Sequence, residues 1–401
     1  LAATNPKRYL GAVADVQENL AILYQESRQF LEAETNYLEV LDIRQNLAQE
    51  NPKVYLPDLA TCQQNIAVMY QSMWRMDEAE EYYLQALETR QELAKDNPQV
   101  YQSEVAFTMN NLAFLYAHTA RYEEALEYYS QALDIRYQLA EKNPQVYLPA
   151  VANTVSCMAQ LYLRWQQFEE SEEYYQLALG LYQQLYDENP QVYAAELSLT
   201  LNGLALLYTN TEDADKHKEA EGYLLQSLAI RRDLVKDNPE VHLPELAMIL
   251  NNLALLYTFA ENPQWDEAEK LHLEAIAIRL ELAEKYPDVY QSQVATSQLS
   301  LGGLYCMTKQ YEQAEEYYKL ALKNIEQAAE ENLSTFMQPL AQTLAALAML
   351  YTETNRPAQA KKYYEKALML FSALEEKQPG LFLSDIEELK AEFEGVNGSK
   401  G

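Results

Sequence analysis

The chain has 401 residues, 48% of them hydrophobic, with 30 basic and 61 acidic side chains and a formal net charge of −31. That balance argues against nucleic acid, which needs Lys and Arg clustered on one face, and against anionic membranes; it suits a solvated acidic surface and a basic partner. Ten Gly against abundant Ala, Leu, Glu and Gln favour an all-α protein. Cys62, Cys157 and Cys306 are odd in number and read as reduced thiols in a cytoplasmic compartment. No apolar run approaches the roughly 20 residues that span a bilayer.

Taken in order, the opening Leu1–Leu10 matches Leu47–Leu56, so residues 1–8 read as the tail of a preceding repeat and the chain as a piece of something longer. Each later unit reads as linker, helix A, tight turn, helix B. The linker is written NPxVY at Asn51–Tyr55, Asn97–Tyr101, Asn143–Tyr147 and Asn189–Tyr193. Its Pro ends the preceding helix, and Pro57, Pro149 and Pro244 then open helix A, where a missing N–H costs nothing. In the second unit this predicts helix A near Pro57–Ser72 and helix B near Asp77–Asp96. The fullest statement is Asn110–Ala132: Leu112, Ala113 and Tyr116 mark one helix face, and Ala125, Tyr129 and Ala132 mark another. Small Ala beside large Tyr lets two helices cross closely. Thr211–Lys218 and Ala260–Trp265 carry length insertions, expected as surface turns between helices A and B. Near the end, Ser384–Phe393 reads as an amphipathic cap within 381–395, followed by a disordered tail, 396–401.

Tyr116 recurs as Tyr24, Tyr70, Tyr162, Tyr208, Tyr257, Tyr305 and Tyr351, at spacings of 46, 46, 46, 46, 49, 48 and 46 residues. Ala125 recurs as Ala33, Ala79, Ser171, Ala220, Ala268, Ala314 and Ala360. Eight units at one period mean a solenoid or array. The Leu-Ala…Tyr and Ala…Tyr…Ala wording resembles the tetratricopeptide repeat (TPR), and its kinesin-light-chain-like subfamily in particular. Asn251–Tyr257 with Trp265–Arg279 show the likeness as well as the third unit does. The period departs from the usual ~34 residues. The resemblance implies an all-α, right-handed superhelical solenoid: eight helix-turn-helix repeats of about 46 residues over 9–380, plus the C-terminal cap helix.

No catalytic constellation stands out. His118, His217, His242 and His272 are scattered along the array, and none has a His or Cys at i+3 or i+4 as a metal-ligand partner. Carboxylates crowd helix B as a solvated face, and Trp74, Trp165 and Trp265 sit at or near the A–B turns as packing for the hairpin tips. The expectation is a monomer that is not an enzyme and carries no cofactor or metal.

The informative surface is the second stripe of helix A. With Leu112 as position 7 and Tyr116 as position 11, positions 2, 5, 9, 12 and 13 cluster opposite the core face. In TPR proteins that stripe lines a concave groove that binds extended peptides, and helix-A Asn residues of light-chain-like repeats hold the peptide main chain. Here it has few charges, and it yields the candidate site Gln64, Asn110, Phe114, His118, Asn153, Gln160, Arg164, Asn202, Leu206, Asn210, Asn251 and Leu255. Apolar residues where charge was available suggest binding, and amides donate and accept at once. Two alternatives stay open for the stripe: it is covered by the long neighbouring helices, or by other parts of the protein. Three readings of function follow: a non-catalytic protein- or peptide-binding scaffold; the sensor or regulatory portion of a larger bacterial protein with an ATPase switch or caspase-like protease; or a structural spacer.

Overall fold

A computed structural model of the protein describes residues 6–209, 211, 213–331, 333–377, 380 and 382–398. The first compact unit, Leu1–Pro190, holds α1 (Pro6–Glu26), α2 (Phe30–Glu50), α3 (Pro52–Ser72), α4 (Met76–Asp96), α5 (Pro98–His118), α6 (Tyr122–Lys142), α7 (Pro144–Arg164) and α8 (Phe168–Glu188). The second, Gln191–Gly401, holds α9 (Pro190–Thr209), α10 (Ala214–Asp237), α11 (Pro239–Phe259), α12 (Trp265–Lys285), α13 (Pro287–Met307), α14 (Tyr311–Glu331), α15 (Leu333–Glu353), α16 (Pro357–Lys377) and α17 (Leu383–Gly398). The protein is 91% helix, its helices are packed as consecutive pairs, and no strand occurs among the described residues.

The period has a simple anatomy. In the second repeat, α3 takes 21 residues, the turn three, α4 another 21, and Asn97 the one that remains of the 46. The NPxVY segment is therefore not a linker. Asn51 alone separates α2 from α3: its N–H closes α2 on the Leu47 carbonyl at 2.9 Å, and its own carbonyl accepts from Val54 and Tyr55. Pro52 occupies the first helical turn, the place expected for Pro57. Pro57, Pro149 and Pro244 lie inside α3, α7 and α11. Each proline forgoes one backbone bond near the helix start, where the carbonyl left over lies on exposed backbone.

The A–B turns are equally regular. Arg28, Trp74, Ala120, Gln166, Lys309 and Asn355 all adopt φ of 56–60°. The residue after each returns its N–H to the repeated Tyr, as Arg75 does to the Tyr70 carbonyl at 3.0 Å. This six-to-one bond with a left-handed residue is the Schellman helix stop, here built without Gly. The first insertion behaves otherwise than expected. Residues 214–218 are helical, so α10 runs 24 residues instead of 21, begun by Asp213, whose side chain accepts from the Asp215 and Lys216 amides. The second insertion does widen the turn, to the five residues between α11 and α12.

In the first unit Ala33, Ala79 and Ala125 are fully buried with Tyr37, Tyr83 and Tyr129 in one continuous core. Ser171 keeps the small position in its repeat and donates its hydroxyl to the Ala159 carbonyl at 2.9 Å, which satisfies it inside the helix crossing. The second unit repeats the scheme with Ala268, Ala314 and Ala360. There Ile386, Leu389 and Phe382 close the last repeat's core around Phe371. The α17 helix continues through residues 396–398, expected as tail; residues 1–5 and 399–401 lie outside the described residues.

Candidate functional site

The helix-A stripe divides into two rows. Position 5 is the inner one: Gln64, Asn110, Asn202 and Asn251 are all buried. Their oxygens are used within the protein. Asn110 Oδ1 accepts from Arg136 Nη1 at 3.1 Å and from Thr154 Oγ1, in the next helix A, at 3.1 Å. Arg136 also donates to Thr154 and, at 2.9 Å, to the Ala150 carbonyl. Gln64 repeats the arrangement with Arg90 and Thr108. Each amide thus joins its own repeat's buried Arg to the following repeat. Burial pushes the Arg90 and Arg136 pKa values down, although Glu104 counteracts this at Arg90. Asn202 Oδ1 accepts from Asn252 at 2.9 Å, and Asn251 Oδ1 meets the Nδ1 of His272 at 3.2 Å.

The outer row, positions 2, 9 and 13, is open. Asn153, Gln160 and Arg164 are exposed, His118 and Leu255 half-buried, and Asn210 lies outside the described residues. Phe114 is 38% exposed and Leu206 41%. In the first unit Phe114 and His118 rings pack at 4.3 Å between centroids, and Trp74 meets His118 edge-on at 6.3 Å. Burial, then the Arg164 charge, lowers the His118 pKa. In the second unit Leu206 and Leu255 come together in a cavity of about 270 Å³. Leu224, Leu256 and Phe259 complete its apolar walls; Thr209, Asn252 and His217 supply its polar groups. His217 Nε2 is buried there without a hydrogen-bond partner.

A family model described as a tetratricopeptide repeat matches residues 12–92, 58–138, 245–327 and 293–373, and a second so described matches 158–185. The chain belongs to the tetratricopeptide repeat family. Comparison with curated proteins gives no match. Among solved structures, the apo quorum sensor NprR from B. thuringiensis is 18% identical over 88% of this chain and 87% of its own, with a TM-score of 0.55. A signal transduction ATPase with numerous domains (STAND), bearing a tetratricopeptide repeat sensor, from Pyrococcus horikoshii is 16% identical with a TM-score of 0.54. The likeness covers 92% of this chain and 50% of the ATPase. A putative kinesin light chain with nearly identical TPR-like repeats from Podosopora anserina is 17% identical over 57% of this chain and 98% of its own, with a TM-score of 0.43.

The repeat signature also carries a polar tie. Tyr70 donates to Glu34 of the preceding helix B at 2.8 Å, and Arg75 lies over the Tyr70 ring while donating to the same carboxylate at 2.9 Å. Tyr116–Glu80–Arg121 and Tyr351–Glu315–Arg356 repeat it. The recurring separations, 36 residues from Glu to Tyr and 41 from Glu to Arg, are the signal that would have found it. These ties join consecutive TPR hairpins.

Proposed function

We propose that this TPR protein is a non-catalytic recognition module that binds an extended protein segment along the outer row of its A helices. The observation that carries this is the chemistry of that row. Phe107, Phe114, Leu199, Leu206 and Phe259 are all exposed in a protein with 30 basic and 61 acidic residues. Exposed apolar side chains in series on a highly charged molecule mark a contact surface. Phe114, His118, Asn153, Gln160, Arg164, Leu206 and Leu255 are the proposed contact residues; the buried amides Gln64, Asn110, Asn202 and Asn251 hold the row in place. The partner is a protein, not nucleic acid or membrane, and the module works as a monomer in the cytoplasm.

The experiment is a titration of a captured, purified partner against the wild type, Phe114→Ala and Leu206→Ala at low and high salt. A neutral contact surface gives affinity nearly flat in salt and sensitive to both variants, since only exposed charge pairs are screened within about 10 Å at 0.1 M. Steep salt dependence with silent variants would assign binding to the acidic B helices instead. A second reading, a sensor portion of a larger switch protein, is favoured by the likeness that spans this chain and half of the STAND ATPase. It predicts that the same row binds a ligand whose arrival alters an attached domain.

A further inference from the structure

One cavity of the second unit borders the outer row at Leu206 and Leu255. It is lined by Leu206, Leu224, Leu255 and Phe259, and about 270 Å³ is well above the ~150 Å³ that holds a benzene ring. Among its lining residues His217 stands out: its Nε2 is buried and makes no hydrogen bond within the protein. His217 is there because the insertion of this repeat extends α10 at its start. A buried ring nitrogen without a partner is costly. An apolar group with a single polar atom would satisfy both the walls and the nitrogen. Phenylalanine lacks that atom, and serine and threonine lack the bulk. The phenol hydroxyl both donates and accepts, so it meets Nε2 whichever tautomer the imidazole holds; the indole N–H only donates. The start of α10 and the α11–α12 turn carry exposed Asp213, Asp215, Glu219 and Glu261 against Lys216 and Lys218, in a protein of net charge −31. Charge complementarity therefore favours Lys and Arg beside the inserted ring.

Resting on the recognition function above, we propose that this cavity takes the side chain of a tyrosine from a basic segment of the partner. The test titrates the intact protein by ligand-observed NMR with 4-methylphenol, toluene and 3-methylindole. It then compares acetylated, amidated KKYKK, KKFKK and EEYEE peptides. Binding of 4-methylphenol about fivefold or more tighter than toluene is expected, the worth of one hydrogen bond. His217→Leu abolishes that preference while leaving toluene bound, and Leu206→Trp, which fills the cavity, blocks all three probes. KKYKK binds more tightly than either other peptide. Equal binding of phenol and toluene, a preference that survives His217→Leu, 3-methylindole binding as tightly as the phenol, or EEYEE outcompeting KKYKK would each overturn the assignment. Partner binding that depends on Phe114 with no phenol binding would sink this inference alone. Phenol and KKYKK binding, with partner affinity lost in Leu206→Trp but untouched by Phe114→Ala, would keep this inference and sink the outer-row reading; partner affinity untouched by Leu206→Trp would sink this inference too.

Discussion

Replacing Asn110 by Ala removes a buried oxygen that accepts two hydrogen bonds, one from Arg136 and one from Thr154. A bond from a charged donor is worth about 1.5–3 kcal/mol and a neutral one about 1. Arg136 keeps the Ala150 carbonyl and the Thr154 hydroxyl, so the loss falls at the lower end, about 2–3 kcal/mol. Contacts in a repeat array run only between neighbours, so the effect is local to α5–α7. Native-state hydrogen exchange reads such local opening directly. At tenfold per ~1.4 kcal/mol, amides of α5–α7 that exchange through local opening speed up about 30- to 150-fold, while those of α13–α16 do not change. The exposed Asn153→Ala serves as control and leaves exchange within a few-fold of wild type. Equal effects of the two substitutions would refute the assignment of Asn110 to the internal network and return it to the open surface.

Ala132 is fully buried at the helix crossing, so Ala132→Leu costs about 1–3 kcal/mol by overpacking, whereas Glu127→Leu on the exposed face stays within ~0.5 kcal/mol; equal melting temperatures would contradict this. Ala120 sits at φ 58° in a turn, where an L-residue costs about 1–2 kcal/mol and Gly returns part of that as chain entropy; Ala120→Gly raises the melting temperature, and a fall would contradict the turn geometry. Burial, then Arg279, pushes the His272 pKa down to about 4. The unfolded chain then binds the extra proton first, so His272 contributes stability above pH ~6.5 that is lost as pH falls toward 4; His272→Leu, matching Leu224 in the preceding repeat, flattens that window, and an unchanged acid profile would argue against a neutral buried imidazole. Glu315 acts lower: burial opposes its ionisation, but hydrogen bonds from Lys319, Arg356 and Tyr351 outweigh that and hold its carboxyl at about 2. The Glu315 tie is present above pH ~4.5 and lost as pH falls through 2, and Glu315→Gln removes that acid transition.

The repeat was legible because its core code is redundant: a small residue, a large Tyr and their spacing recur eight times, and the structure buries the small residue in every unit and the Tyr in six of the eight. Helix starts were less so, because two prolines competed for one role. Pro57 has the look of a first-turn residue, but Pro52 already fills that place five residues earlier, and a helix tolerates a second proline near its start. The insertion at 211–218 looked like loop because it is polar; Asp213 caps it and turns the three extra residues into helix. For the candidate site, helical periodicity gave direction but not depth. Positions 5 and 9 point the same way, yet Asn110 is covered by the hydroxyl of Thr154 and the guanidinium of Arg136, while Phe114 remains open. Only the partner helices decide that difference. His217 could not be placed from sequence, since its position depends on how the lengthened α10 meets α9 and α11.

Photo-crosslinking locates the binding surface most directly. A benzophenone side chain is placed at Phe114 or Leu206 on the outer row, and at the exposed helix-B positions Tyr137 or Leu320. With the captured partner bound, the account predicts that Phe114 and Leu206 capture one contiguous partner segment each and that Tyr137 and Leu320 capture none. Crosslinks from the helix-B positions, with the outer row silent, would contradict it.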